Sequence, residues 1–263
     1  MEDHINQLKD KISKAVSESI QGKDGVGILF SGGLDSSLVA FIAKKGAQEA
    51  EITLYTVGTF DSYDFLYAED ASKLLGMNLS RIEIANQEII DSIPKLTQII
   101  DIHHPVTISF ELPLYLALGN IEEELILTGQ GADELFGGYA RYLKMGHDEL
   151  EMELKKDVDS LITKDIEMDY QIARHFSKTL KIPYLDMDVV NCTMQIPLEY
   201  KVNEGQRKII LRELAVKMGL PREIALKEKK AVQYSSGILK ELRRIAKGQG
   251  MEVNEFIEHL LKG

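Results

Sequence analysis

The sequence predicts an α/β fold: a parallel, twisted sheet with helices on both faces, followed by a helical region. Three observations carry this expectation. VGILFSGGLDSS, from Val26 to Ser37, puts an apolar strand, a glycine turn and the start of an amphipathic helix in direct succession. Strand-length and helix-length apolar patterns then alternate as far as Thr128, which means parallel strands joined by right-handed crossovers. Beyond Tyr142 the strand pattern stops and helical spacing takes over. Residues 1–145 are accordingly expected to form the α/β core and residues 146–263 a helical region packed on the sheet edge.

Taken in order, residues 1–22 place Ile5, Leu8, Ile12, Ala15, Val16 and Ile20 on one face of a helix that stops at Gly22. The first strand and its loop helix follow, the helix ending near Gly46. EITLYTV (51–57) reads as a second strand, and residues 64–75 as a helix closed by Gly76. LSRIEI (79–84) reads as a third strand, and residues 87–100 as a helix with a kink at Pro94. His103-His104-Pro105 reads as a loop, because adjacent histidines face different ways and no third ligand is spaced for a metal. FELPLYLAL (110–118) then reads as a buried helix and EELILT (123–128) as a fourth strand. Further helices are expected over 147–156, 166–180, 204–218, 238–247 and 252–262.

In parallel sheets ligands sit beyond the carboxyl ends of the strands, where Ser31 to Ser37 and Thr56 to Gly58 both fall. Gly32 and Gly33 let the backbone take positive φ and approach a ligand, and the helix N-terminus aims unpaired N–H groups at the turn. An anion is favoured there. Neither GxxxxGK[ST] nor GxGxxG is present. Asp35 stands at the mouth of this anion site, where a lone carboxylate would repel phosphate. The conflict resolves if Asp35 holds a divalent cation that bridges to phosphates. A glycine pair alone would equally suit a capped βα turn; three hydroxyls and a carboxylate around it favour the phosphate reading. SGGLDSS resembles the PP-loop, SGGxDS, of the ATP pyrophosphatases, which implies ATP as the nucleotide and an adenine nucleotide alpha hydrolase-like fold.

Composition bounds the partners. The 263 residues carry 42 acidic against 31 basic side chains, net −11, which argues against gripping nucleic acid by bulk charge. The single cysteine, Cys192, makes no internal disulfide or cysteine metal cage and reads as a small buried hydrophobe. No apolar run approaches the roughly 18 residues of a membrane span, and MEDHINQLKDK is no signal peptide. A soluble, cytoplasmic protein is expected.

The fourth strand delivers a second informative stretch, TGQGADELFGGYARY, from Thr128 to Tyr142. It repeats the arrangement of strand, glycine-bounded turn and acids. If the sheet sets the two turns side by side, Asp133 faces Asp35, and two carboxylates with a triphosphate make a Mg²⁺ site. GADE alone would equally be a helix start with acids near its positive end.

TGQGADELFGGYARY resembles the SGEGADELFGGY signature of the asparagine synthetase family, and the resemblance covers most of residues 1–240. KIPYLD (181–186) is similar to the family's RxPFLD, and KEKKAVQYSSG (227–237) to its late lysine-containing segment that closes over the nucleotide. The resemblance implies a carbon–nitrogen ligase acting in two steps. A small-molecule carboxylate attacks the α-phosphate of ATP to give an acyl-adenylate and pyrophosphate, and ammonia or an amine then displaces AMP. It implies that Ser31, Gly32, Gly33, Ser36, Ser37 and Gly129 contact the nucleotide, that Leu29, Val57 and Gly58 lie against adenine, and that Asp35 and Asp133 carry Mg²⁺. Lys230, or Lys229 in its place, supplies positive charge at the α-phosphate; without the resemblance, these lysines read as a solvated face.

Three departures bear on the second step. Gln130 stands where the amide-forming enzymes have glutamate, and an amide is no general base. Thr179 and Lys181 stand where LExRxPFLD has Glu and Arg, which suggests a carboxylate other than aspartate. No Cys occupies position 2 and no glutaminase domain precedes the loop, so nitrogen is expected as free ammonia, as a substrate amine or from a separate glutaminase subunit. A homodimer is compatible with the sheet edges and the helical region. Two other readings stand beside the ligase: an ATP-binding partner subunit that has lost amide synthesis, supported by Gln130, and a tRNA-acting PP-loop enzyme, supported by the basic stretch Lys240, Arg243, Arg244 and Lys247.

Overall fold

Five strands among the described residues form one all-parallel sheet in the order β3-β2-β1-β4-β5. The computed structural model describes residues 1–47, 50–60, 62–101, 104–227 and 236–262. In chain order its elements are α1 (Glu2–Ile20), β1 (Gly25–Leu29), α2 (Leu34–Gly46), β2 (Glu51–Gly58), α3 (Tyr63–Leu75), β3 (Leu79–Glu83), α4 (Asn86–Ile100), α5 (Pro105–Asn120), β4 (Leu125–Leu127) and α6 (Ala132–Phe136). They continue as α7 (His147–Ser160), α8 (Ile166–His175), β5 (Thr179–Lys181), α9 (Met187–Met194), the short hairpin β6 (Val202–Asn203) and β7 (Gln206–Arg207), α10 (Ile209–Met218), α11 (Arg222–Ala225), α12 (Ile238–Gly248) and α13 (Val253–Lys262).

Successive residues of a strand point to opposite faces of the sheet, and the apolar runs are continuous because both faces are covered. Val26, Ile28, Leu125 and Leu127 join one core with α1, α2, α9 and α10. Ile126, Leu180 and Ile82 join a second core with α4, α5, α8, α12 and α13. The docking helix expected over residues 1–22 buries the six residues read from its spacing, Ile5 through Ile20. Gly76 closes α3 in the left-handed conformation, φ 59°, as a helix stop requires. Helix α4 runs on through Pro94 to Ile100.

The reading that strands stop after Tyr142 is overturned. The helix expected over 166–180 ends at His175; Ser177 turns back at φ 56°, and Thr179–Lys181 pairs with Leu125–Leu127 as the outer strand of the sheet. Buried Leu180 and Ile182 alternate with exposed Thr179 and Lys181, a period of two that a three-residue strand is too short to reveal. The helix expected from 204 starts at Ile209, because 202–207 form the hairpin. Met187–Met194 is a helix absent from the sequence reading, capped by the Asp186 side chain accepting from the Asp188 N–H at 2.9 Å.

Lys240, Arg243, Arg244 and Lys247 occupy the exposed face of α12, whose other face buries Ile238, Leu242 and Ala246. Arg244 pairs with Glu241 at 2.7 Å, as on a solvated amphipathic helix. Among the described residues no helix is long and apolar enough to cross a membrane. Cys192 packs partly buried against the first core, and burial pushes its thiol pKa up.

The strand order reverses between β1 and β4, which are neighbours and pair in parallel with Ile28 opposite Leu127. In open α/β sheets the crevice beyond such a reversal is where ligands bind. The turns that follow these two strands are Ser31–Gly33 and Thr128–Gly131.

Candidate active site

The first turn is built around Gly32. Its φ is +71°, and a Cβ there would lie 2.4 Å from the Tyr67 carbonyl oxygen, so neither the backbone angle nor the packing on α3 admits a side chain. Gly33 differs from the expectation of positive φ: it is extended at φ −80°, ψ 172° as the residue before α2. A Cβ on it would meet only the Ser31 hydroxyl at 3.5 Å, so the space beside this backbone is open. The Ser31 N–H donates to the Ser36 hydroxyl at 3.3 Å, and the two hydroxyls lie 3.4 Å apart. Ser37 is fully buried, its hydroxyl without a partner among the described residues. With no side-chain cap on α2, the turn presents hydroxyls and a helix N-terminus, the chemistry that suits a phosphate.

The second turn lies against the first. A Cβ on Gly129 would come within 2.7 Å of the Ser36 nitrogen and 2.8 Å of the Asp35 carbonyl carbon. The two signature stretches therefore touch backbone to backbone. Tyr184, from the KIPYLD segment, locks the contact from below: fully buried, it donates its hydroxyl to the Asp35 carbonyl at 3.2 Å and packs edge-on against Phe136. Burial and the Asp35 charge push its pKa up, so the phenol stays a donor.

Asp35 and Asp133 face one another as the sequence leads one to expect, but across Lys208. Its Nζ is 2.7 Å from both carboxylate oxygens of Asp35 and 2.7 Å from Oδ1 of Asp133. The lysine is 4% exposed and sits in the left-handed region at φ 56°, before α10. A non-glycine residue held there costs of order 1–3 kcal/mol and is kept only where its surroundings dictate it. The closing glycines of ELFGGY make room for this bridge: a Cβ on Gly138 would stand 1.8 Å from Asp133 Oδ1 and 2.3 Å from Lys208 Cε.

Two carboxylates converging on one cation fit a divalent ion that shares its sphere with phosphate oxygens, as Mg²⁺ prefers. Among the described residues no group of three or more His, Cys, Asp or Glu is arranged to hold a metal unaided.

Leu29 ends β1 and Val57 lies near the end of β2, both partly buried against the second core. Gly58 ends β2, where the Ser236 carbonyl approaches within 2.8 Å of the place a Cβ would take and accepts from the Thr59 N–H at 2.9 Å. Lys227 places its ammonium 3.8 Å from the centre of the Tyr67 ring, the residue that Gly32 touches. The two described ends of the late lysine segment thus stand by the first turn and by the end of β2. Lys229 and Lys230 lie outside the described residues.

Gln130 does not reach the Asp35–Asp133 pair. Its Nε2 donates to Asp169 Oδ2 on α8 at 2.7 Å, and Asp169 in turn hydrogen-bonds Glu111 on α5. Burial and the charges of Asp169 and Asp165 raise the Glu111 pKa to about 9. Burial raises Asp169 as well, against the lowering effect of its hydrogen bonds with Glu111 and Gln130.

Lys208, Asp169 and Glu111 escaped the sequence reading. Glu111 had a signal, being the one charged side chain in PVTISFELPLYLALGN; Lys208 had none beyond two converging carboxylates that need a cation. Thr179 and Lys181 are exposed at the outer strand, where the Lys181 carbonyl accepts from the Thr128 N–H at 3.1 Å.

The family model described as asparagine synthase matches residues 7–151 and 143–253. A Methanocaldococcus jannaschii protein with a provisional name of glutamine-hydrolysing asparagine synthetase 1 is 35% identical over 96% of this chain and 54% of its own length. Asparagine synthetase B of Escherichia coli, named as glutamine-hydrolysing, is 28% identical over 89% of this chain and 45% of its own. The chain thus spans about half the length of the curated relatives it matches. Among solved structures, NMN synthetase from Francisella tularensis aligns at a TM-score of 0.49 and 13% identity, over 98% of this chain and 93% of that one. By the extent of the family match and by the archaeal relative, this chain belongs to the asparagine synthase family.

Proposed function

We propose that the chain is an ATP-dependent ligase that adenylates a small-molecule carboxylate, releases pyrophosphate, and passes the acyl group to ammonia or an amine with release of AMP. The observation that carries this reading is the backbone contact of the two signature turns at the β1–β4 reversal, with Asp35 and Asp133 converging on one cation. The hydroxyls of Ser31 and Ser36 and the N-terminus of α2 bind phosphate oxygens and stabilise pyrophosphate as it leaves. Ser37 and the Gly32-Gly33 and Gly129 backbones shape the cradle. Leu29, Val57 and Gly58 line the adenine side. Asp35 and Asp133 would hold Mg²⁺, which when bound supplies charge neutralisation for the phosphates. Lys208 keeps the two carboxylates together, and Lys230 or Lys229 is the candidate for charge at the α-phosphate.

The relatives are named glutamine-hydrolysing, and this chain aligns with about half of their length. We infer that the aligned half is the ATP-using half, with nitrogen arriving as ammonia, as an amine or from a glutaminase unit. The test is ATP–pyrophosphate exchange across a library of carboxylates, with product analysis on those that respond. Exchange with one carboxylate class, and AMP with pyrophosphate as products, is the expected result. ADP as product, or ATP binding without exchange for any carboxylate, would overturn the reading.

A further inference from the structure

Beside α6, α7 and the segment that follows α9 lies a cavity of about 280 Å³, at the seam between the first core and the small apolar cluster of Tyr142, Leu150 and Leu154. No residue assigned above to the nucleotide, to Mg²⁺ or to the bridge between Asp35 and Asp133 lines it. Its apolar wall is Leu135, Leu154, Val158 and Ile196, all buried. Lys201 also lines it and is 4% exposed. The backbone of this lysine is committed: its N–H donates to the Leu198 carbonyl at 2.8 Å, and its carbonyl accepts from the Ile209 N–H at 3.2 Å. The ammonium is not committed. Among the described residues it has no hydrogen-bond or ion-pair partner, and burial lowers its pKa to about 8. A buried charge left unpaired is costly, and one kept on the wall of a cavity marks a place for the opposite charge.

The carboxylates that border the cavity do not supply that charge. Glu134 accepts from the Tyr139 hydroxyl. Glu151 pairs with Lys155 at 2.7 Å, both about half exposed, and Glu199 and His147 are exposed as well, so these four stand on the solvent side. An apolar cavity of about 150 Å³ already takes up benzene. We propose that this cavity is a second ligand site that takes a small organic carboxylate, its charge paired with the Lys201 ammonium and its hydrocarbon body laid against Leu135, Leu154, Val158 and Ile196. An inorganic anion would leave the apolar wall unfilled, and an amine would set a second cation against Lys201. The site goes beyond the ligase reading and does not depend on it, because its occupancy is read by binding and not by turnover.

The test is isothermal titration calorimetry of the wild type, Lys201→Met and Gly129→Ala with benzoate, butyrate, inorganic phosphate and benzylamine. Benzoate or butyrate is expected to saturate one site on the wild type, at least tenfold more tightly than phosphate or benzylamine. Lys201→Met keeps the stem and removes the charge, and is expected to weaken that carboxylate at least tenfold. Gly129→Ala disturbs the turns of the nucleotide site and is expected to bind the same carboxylate within threefold of the wild type. If Lys201→Met does not fold, Lys201→Gln takes its place. Equal affinity in the Lys201 variant, tighter binding of phosphate or benzylamine, a tenfold loss in Gly129→Ala, or no saturable binding of either carboxylate would each overturn the proposal. None of these results bears on ATP–pyrophosphate exchange, which tests the ligase reading separately.

Discussion

Replacing Lys208 by Met removes one ammonium from between two carboxylates and changes little else. The methionine stem fills the same space, and the strained φ of 56° is common to both residues, so it cancels from the comparison. What is left is Asp35, its side chain 9% exposed, facing Asp133 at 24% without the cation both now share. Breaking a buried pair by removing one partner costs about 3–5 kcal/mol. Asp133 can turn toward water, which places the expected loss near the lower end, about 3 kcal/mol. For a chain of this size that corresponds to a fall in Tm of about 6–12 °C. Urea denaturation at neutral pH, with the denaturant slope checked for constancy, measures it. The decisive arm is Asp133→Asn made in both backgrounds. It is expected to destabilise the wild type, where it loses an ion pair, and to stabilise Lys208→Met, where it relieves repulsion. Mg²⁺ is expected to raise the Tm of Lys208→Met more than that of the wild type, since a divalent ion can take the vacated role. A loss below about 1 kcal/mol, or an Asp133→Asn effect of the same sign in both backgrounds, would refute the reasoning.

Other expectations follow from the same geometry. Gly129→Ala puts a Cβ 2.7 Å from the Ser36 nitrogen, so the turns must part; a loss of about 1–3 kcal/mol and at least a tenfold fall in ATP–pyrophosphate exchange are expected, and wild-type exchange would refute the contact. Glu111, with its folded pKa raised to about 9 from an ordinary 4.5, contributes stability that is full below about pH 4.5 and is lost as pH rises toward 9, at no more than about 1.4 kcal/mol per unit. Wild-type melting temperature should therefore decline over that window more steeply than that of Glu111→Gln. Lys201 is 4% exposed, and burial lowers its pKa to about 8; Lys201→Met is expected to stabilise the protein at pH 7 by about 1–3 kcal/mol in urea denaturation. Gln130→Glu is expected to lower the urea midpoint at pH 8 and not to raise amide formation, because it sets a third carboxylate against Asp169.

How much could be read beforehand depended on how far a signal reaches along the chain. Both turns were legible because each concentrates its information locally, with an apolar strand, a glycine that tolerates no Cβ, and the acid that follows within four residues. Their adjacency was legible only as a consequence of topology, which the β1–β4 pairing supplies. Thr179–Lys181 was hidden because a helical pattern ran into it and three residues are too short for an alternation to register. Lys208 was hidden for a different reason: its role comes from contacts 173 residues away along the chain, to Asp35, and a lysine before an apolar helix looks like any other. The sequence offered Lys230 as the cation for the phosphates, while the cation that the described structure sets between the acids is Lys208.

The site thus contains two carboxylate pairs that solve the same problem in opposite ways. Asp35 and Asp133 keep both charges and share an ammonium, which leaves a position where positive charge is at home and phosphate oxygens can be met through a cation. Glu111 and Asp169 share a proton instead, and Asp169 spends its remaining acceptor capacity on the Gln130 amide. That pair keeps a single negative charge, buried on α5 and α8 and met by the Gln130 amide N–H. In the proposed reaction the first step moves a highly charged leaving group and the second needs an uncharged nucleophile. The departure at Gln130 is on this argument tied to Asp169 and Glu111, and the three residues should be exchanged together if a glutamate is to be accommodated there.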